Sequence, residues 1–308
     1  MNLRRQWMFR KKWKYMLPAL GRYRYYSRIK ILEFYKERRI RIPLSEKRKL
    51  ILMADSDIQI PFMDIDVTTY CNLRCRRCAK YIPYFAEHKH FTADEIKESL
   101  DLLTTYVDRI CVASIIGGEP FLNPEIAEII RVCSKNQRIA HLELTTNATI
   151  IPNDDVFRAL RKGKVLVHIS NYPNIDARFL KQEKLIEKLK EYQIPYEFQY
   201  HEIWLDFGEV KKRAYSEKEL RSGMLHCPMN SCSVYNDKKL YRCGKVSYLA
   251  QHGMESGKGE VIDMTRIHDR KEMKRKIKEF YSAKYFEACK YCDLHPKGIT
   301  AAEQLEVR

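Results

Sequence analysis

Between residues 62 and 207 the chain alternates apolar, β-branched runs with amphipathic stretches at helical spacing. That alternation constrains the fold more than any single motif does. The runs 62–68 (FMDIDVT), 109–117 (RICVASIIG), 140–147 (AHLELTTN), 164–173 and 195–207 read as strands. The stretches 92–107, 123–135, 154–163 and 176–193 read as helices. Thr92 with Glu95 three residues on predicts a capping box, and Asn123 followed by Pro124 predicts a helix start. Strands separated by helices imply an α/β fold, a parallel sheet flanked by helices. In such sheets the chemistry gathers at the C-terminal ends of the strands.

The two ends of the chain lie outside this rhythm. Residues 1–50 carry 17 Lys and Arg against 3 Glu, so +14 of the formal net charge of +17 sits there. The same stretch is rich in aromatics, and Pro18 and Gly21 divide it into two expected helices. We treat residues 1–55 as a basic, aromatic helical extension. Three readings of it stay open: a solvated arm whose aromatics pack on the body, a contact with an anionic membrane, or a contact with nucleic acid. The start lacks the apolar core of a secretory signal, so the expected location is cytoplasmic, with the arm as a route to the membrane face. The barrel-like region is placed at 56–222 and a second unit at 223–308. In that unit SVYNDKKLYRC (233–243) reads as a hairpin turning at Asn-Asp, and a basic helix is expected near 270–286.

Ten cysteines are many for a cytoplasmic chain, and eight are grouped: Cys71, Cys75 and Cys78; Cys227, Cys232 and Cys243; Cys289 and Cys292. Clustered thiols in a reducing compartment point to metal rather than to a disulfide framework. Cys111 and Cys133 stand apart in apolar segments and read as small buried hydrophobes. The first group, CNLRCRRC, follows its strand directly and offers three thiols. Three ligands on a four-coordinate metal leave one position open for a substrate or cofactor. Zinc would need His88 or His90 to complete four ligands; an iron–sulfur cluster suits thiolates better.

Cys-x3-Cys-x2-Cys after the first strand of a βα sheet resembles the radical S-adenosylmethionine (SAM) superfamily. The segment Gly117-Gly118-Glu119-Pro120 at the next strand end agrees with it. The resemblance covers roughly residues 62–207 and implies a partial (β/α)6 barrel. It implies a [4Fe–4S] cluster on Cys71, Cys75 and Cys78, whose free iron binds S-adenosyl-L-methionine and whose electron cleaves it to a hydrogen-abstracting radical. It also implies that Gly117, Gly118, Glu119 and Pro120 hold the SAM amino group, and that Asn147, Ser170 and Asn171 contribute at later strand ends. The family usually has an aromatic residue just before the third cysteine; here it is Arg77, and Tyr81 or Tyr84 is the expected substitute.

The C-terminal cysteines resemble the SPASM extension in its short twitch form, which implies one auxiliary [4Fe–4S] cluster on Cys243, Cys289, Cys292 and either Cys227 or Cys232. A structural zinc, with four cysteines or with His295, is the plain alternative. The twitch resemblance implies dehydrogenation of an alcohol on a sugar-like small molecule, with an external one-electron reductant such as flavodoxin or ferredoxin. Peptide maturation, epimerisation and RNA modification are the other chemistries weighed. His201, Glu202 and Trp204, at the end of the last expected strand, are the candidate catalytic residues, and deprotonation of the substrate would need such a basic group.

Overall fold

The computed structural model describes residues 58–306 apart from 173–174, 176–178, 201–202, 228, 230–231, 255–256 and 258, and the side chain at 200. The basic extension, His201 and Glu202 therefore lie outside the described residues.

Eight strands form the main sheet, in the order β11-β10-β9-β2-β4-β5-β6-β7. Here β2 is Met63–Thr68, β4 Ala113–Gly117, β5 Leu142–Thr146, β6 Leu166–Asn171 and β7 Tyr196–Tyr200. β9 is Val234–Asn236, β10 Lys239–Tyr241 and β11 Val261–Asp263. The six strands from β9 to β7 are mutually parallel, the arrangement a partial barrel requires, while β10 and β11 extend the edge in antiparallel fashion. A short pair, β1 (Gln59–Ile60) with β3 (Arg109–Ile110), lies outside this sheet.

Four helices follow the parallel strands: α1 (Ala93–Tyr106), α2 (Ile126–Lys135), α3 (Asp154–Gly163) and α4 (Gln182–Glu191). Thr92 and Glu95 close the expected capping box on α1. The Asn123-Pro124 start comes later than expected, because a short turn (Pro120–Leu122) intervenes and α2 begins at Ile126.

The strands alternate through most of their length. Ile65 and Val67, Leu142 and Leu144, and Val167 and Ile169 join one apolar core with α1–α4. Asp64, Asp66, Ser114, Glu143, His168 and Ser170 are also buried, and with a side-chain period of two they fall on the other face. A sheet with one oily and one polar buried face is suited to hold a polar ligand on the second.

The last expected strand, 195–207, is two strands. β8 (Ile203–Asp206) leaves the main sheet and pairs antiparallel with β12 (Lys297–Thr300). The division placed at 222/223 falls inside helix α5 (Glu217–His226). The C-terminal hairpin adds to the main sheet through β9 and β2, so one sheet spans both expected units. The hairpin turns one residue later than Asn-Asp: Asp237 and Lys238 both have positive φ, 45° and 59°, as a type I′ turn demands. Asn236 instead donates to Asp66 Oδ2 at 3.1 Å. The basic helix, α7, runs Arg270–Ser282.

Candidate active site at the strand ends

Cys71, Cys75 and Cys78 sit on the loop leaving β2, and all three are free thiols. The loop is fastened from below: Lys80 Nζ lies 3.0 Å from Asp64 Oδ2 and 2.7 Å from Asp66 Oδ1. Burial alone would push the Lys80 amine down, but the two carboxylates outweigh it and hold it above its usual range. From the side, Gly118 and Glu119 donate their N–H groups to Thr68 O (2.8 Å) and Tyr70 O (2.9 Å). A Cβ on Gly118 would meet Tyr70 O at 1.9 Å, and one on Gly117 (φ +143°) would meet Thr68 O at 2.2 Å. Both glycines are thus needed for backbone to approach backbone, where the sequence suggested approach to a ligand.

Glu119 is fully buried. Its carboxylate accepts from Asn147 N (2.7 Å), Thr146 Oγ1 (2.8 Å) and Phe121 N (3.2 Å). Burial pushes its pKa up to about 7, against the pull of those three donors. A carboxyl poised there is ready to take its full charge when a cation arrives. Asn147 joins the same group: its amide donates to Asn72 Oδ1 at 3.1 Å and lies 3.8 Å from Cys71 Sγ. Asn123, whose amide donates to Val67 O and Phe91 O, anchors the turn after Pro120. Ser170 and Asn171 end β6, as expected, and Gln182 reaches their polar groups at 3.4–3.5 Å.

Of the two expected rings, Tyr84 stays on the cysteine loop, where its hydroxyl donates to Arg76 O at 2.5 Å. Tyr81 packs with Tyr241, Tyr248 and Ala288, under Lys245 Nζ at 4.4 Å from its ring centre. It lies between the two cysteine groups. The ring beside the triplet is Tyr172, whose hydroxyl is pushed up by burial and then by the nearby Cys75, Cys78 and Cys71. Trp204 meets it edge-on, 5.5 Å between centres, and packs on the group formed by Cys75, Ile175 and Ala302. Tyr172 follows Asn171 directly, and an aromatic at that strand end was the signal available in the sequence.

The triplet fits an iron–sulfur cluster by its donor chemistry. The three thiols feel one another's charge, and burial pushes Cys71 up to about 12 and Cys75 up to about 11, so binding iron must release protons. N–H groups are aimed at all three sulfurs: Leu73 N to Cys71 at 3.5 Å, Gln304 Nε2 to Cys75 at 3.2 Å, and the backbone of Lys80, Tyr81 and Ile82 to Cys78. His90 is engaged elsewhere, 2.9 Å from Thr68 Oγ1 through Nδ1 and stacked on Tyr70. Among the described residues no three His, Cys, Asp or Glu side chains converge on a single ion.

In the second group, Cys227, Cys243, Cys289 and Cys292 line one small apolar cavity of about 70 Å³, with Tyr81 and Lys245 in its wall. Cys232 is not in that wall. It is buried, and its carbonyl accepts from Arg242 at 2.8 Å. The two cysteine groups are neighbours: a Cβ on Gly244, after Cys243, would meet Ala79 O, after Cys78, at 2.7 Å. A second cavity, about 280 Å³, opens between Cys78, Arg77, Tyr84, Asp206 and Tyr248, and Arg77 pairs with Asp206 across it at 3.1 Å. Cys111 and Cys133 are buried, as expected.

Residues 65–195 match the family model described as the Radical SAM superfamily. The GTP 3′,8-cyclase of Peptoclostridium acidaminophilum is 33% identical over 106 residues, 33% of this chain and 32% of that protein. That of Clostridium acetobutylicum is 35% identical over 94 residues, 30% and 29% of the two chains. The chain thus spans about a third of the length of these curated relatives. Among solved structures, BtrN in complex with AdoMet and 2-DOIA aligns with 77% of this chain and 94% of its own, at 15% identity and a TM-score of 0.46. Streptococcus suis SuiB bound to S-adenosylmethionine aligns with 55% of this chain and 44% of its own, at 20% identity and a TM-score of 0.38. The segment that carries the cysteine loop, the Gly-Gly-Glu-Pro turn and the polar strand ends is thus the one that matches the Radical SAM superfamily, a family that implies a [4Fe–4S] cluster and SAM.

Proposed function

We propose that this chain is a radical SAM enzyme that oxidises an alcohol carbon of a sugar-like small molecule and carries an auxiliary iron–sulfur cluster on Cys227, Cys243, Cys289 and Cys292. The observation that carries the reading is the apolar cavity those four thiols share, set against the loop of the first three. When bound, the first cluster supplies the one-electron cleavage of SAM and the second a one-electron sink. The substrate loses two hydrogens, one as an atom and one as a proton with its electron left behind. Four thiols on the second group leave no position for substrate. Glu119 would balance the SAM ammonium, Gly117 and Gly118 hold the loop that presents it, and Asn147, Ser170 and Asn171 offer hydrogen bonds. Arg77, Asp206 and the tyrosines around the larger cavity give a wall that suits hydroxyl groups. An external one-electron reductant, such as flavodoxin or ferredoxin, completes the proposal.

The second reading is cyclisation of GTP, the reaction named for the curated relatives, favoured by identity over a third of the chain. Anaerobically reconstituted protein should be brown, with about eight irons per chain on the two-cluster view. The deciding assay is 5′-deoxyadenosine release with deuterated polyols and with deuterated GTP. Label passing from a polyol into 5′-deoxyadenosine supports the first reading. Label from GTP alone replaces it with the second.

A further inference from the structure

After β12 the chain turns back onto the first cysteine loop. Arg76 N donates to Glu303 O at 2.8 Å and Leu305 N donates to Arg74 O at 2.8 Å, so residues 303–305 run antiparallel to 74–76 as a short strap. Ala301 and Ala302 are buried beneath it, and Ala302 packs on Cys75. Gln304 is held at both ends of its amide. Its Oε1 accepts from Arg74 N at 2.7 Å, and its Nε2 donates to Ala302 O at 2.6 Å and to Cys75 Sγ at 3.2 Å. The Arg74 bond fixes the orientation, because a flipped amide would set a carbonyl against sulfur and lose that bond.

We propose that Gln304 is a positioning residue for the three-cysteine site: its amide, locked by the strap, donates to the Cys75 sulfur and raises the reduction potential of the iron–sulfur group bound there. Reduction adds negative charge to the cluster and its sulfurs. A fixed N–H donor therefore stabilises the reduced form more than the oxidised one, and hydrogen bonds to sulfur are among the levers that set such potentials. Because β12 follows the segment of Cys289 and Cys292, the strap also ties the second cysteine group mechanically to the first.

The inference rests on the cluster reading of Cys71, Cys75 and Cys78. The test is an EPR-monitored redox titration of reconstituted full-length protein carrying Cys289→Ala and Cys292→Ala, so that the three-cysteine cluster is read alone. Gln304→Leu removes the donor at nearly constant shape. The expected result is a roughly tenfold lower reduced-to-oxidised ratio at a fixed potential, about 59 mV for a one-electron couple, at unchanged iron content. Gln304→Glu keeps the acceptor for Arg74 and places a carboxylate near sulfur; it should lower the ratio further. Glu303→Ala removes only the exposed ion pair with Arg76, 3.4 Å in this structure, and should leave the potential where it was. If Gln304→Leu assembles no cluster, Gln304→Glu is read in its place. Full iron with the parent potential in the Gln304 variant, or an equal shift in Glu303→Ala, overturns the inference alone. An unsubstituted chain that assembles no cluster overturns the cluster reading beneath it.

Discussion

The two cysteine groups are built in opposite ways. The first is a single loop of eight residues, walled by polar groups from Asn72, Glu119, Asn147 and Gln304. The second gathers thiols from the end of α5, the start of α6 (Gly244–Gln251) and both ends of the turn 289–292, around an apolar cavity. Burial pushes Cys292 up to about 12 and Cys289 up further. A polar, loop-borne triplet suits a metal group that must meet a charged, changing ligand. An apolar one, with four thiols, suits a group that stays put and exchanges only electrons.

The largest break in that contrast should come from the triplet. Changing Cys71, Cys75 or Cys78 to Ala should abolish 5′-deoxyadenosine formation and remove about four irons, leaving roughly four on the second group; iron analysis and the product assay together check it. The second group is sharpened by a pair of variants. Cys227→Ser should halve the iron of the parent, whereas Cys232→Ser should leave it unchanged; the reverse result would exchange the two in the ligand set.

A smaller effect separates tight backbone contact from simple strain. Gly118→Ala, whose new Cβ meets Tyr70 O, should destabilise the fold by about 3 kcal/mol. Gly253→Ala has open space and only a positive φ of +65° to resist it, and should cost about 1 kcal/mol. Urea midpoints at constant slope compare the two.

The first group is also sensitive to pH, through Glu119. With its folded pKa raised to about 7, against about 4.3 in an unfolded chain, the unliganded fold binds this proton more tightly than the unfolded chain does. Its contribution to stability is therefore present at low pH and is lost as pH rises from the unfolded value through about 7. SAM binding should run the other way. In the role proposed for Glu119, the SAM ammonium needs the carboxylate charged, so affinity should fall below pH 7 by up to about tenfold per unit. Titration calorimetry should show that slope in the parent and a flat, weaker line in Glu119→Gln.

The positions proposed for the first site could be read from the sequence because the triplet, the Gly-Gly-Glu-Pro turn and the strand-end Asn147, Ser170 and Asn171 each sit within a few residues of a predictable strand. The surroundings of Tyr81 were not legible, for the converse reason. Its distance along the chain suggested a ligand contact, but Lys245 and Tyr248, nearly 170 residues away, draw it into the second group. Trp204 packs beside Cys75, a position that the pairing of β8 with β12, outside the main sheet, sets.

Hydrophobic period, caps and cysteine spacing are local properties, and by themselves they determined an α/β chain with a three-thiol loop at a sheet edge. The choice of Cys227 over Cys232 for the shared cavity, the fusion of the hairpin to β2, the identity of the ring beside the triplet and the return of Gln304 to Cys75 were decided only by the tertiary structure. Each depends on which distant segments the sheet register brings together, and no short stretch of sequence encodes that pairing.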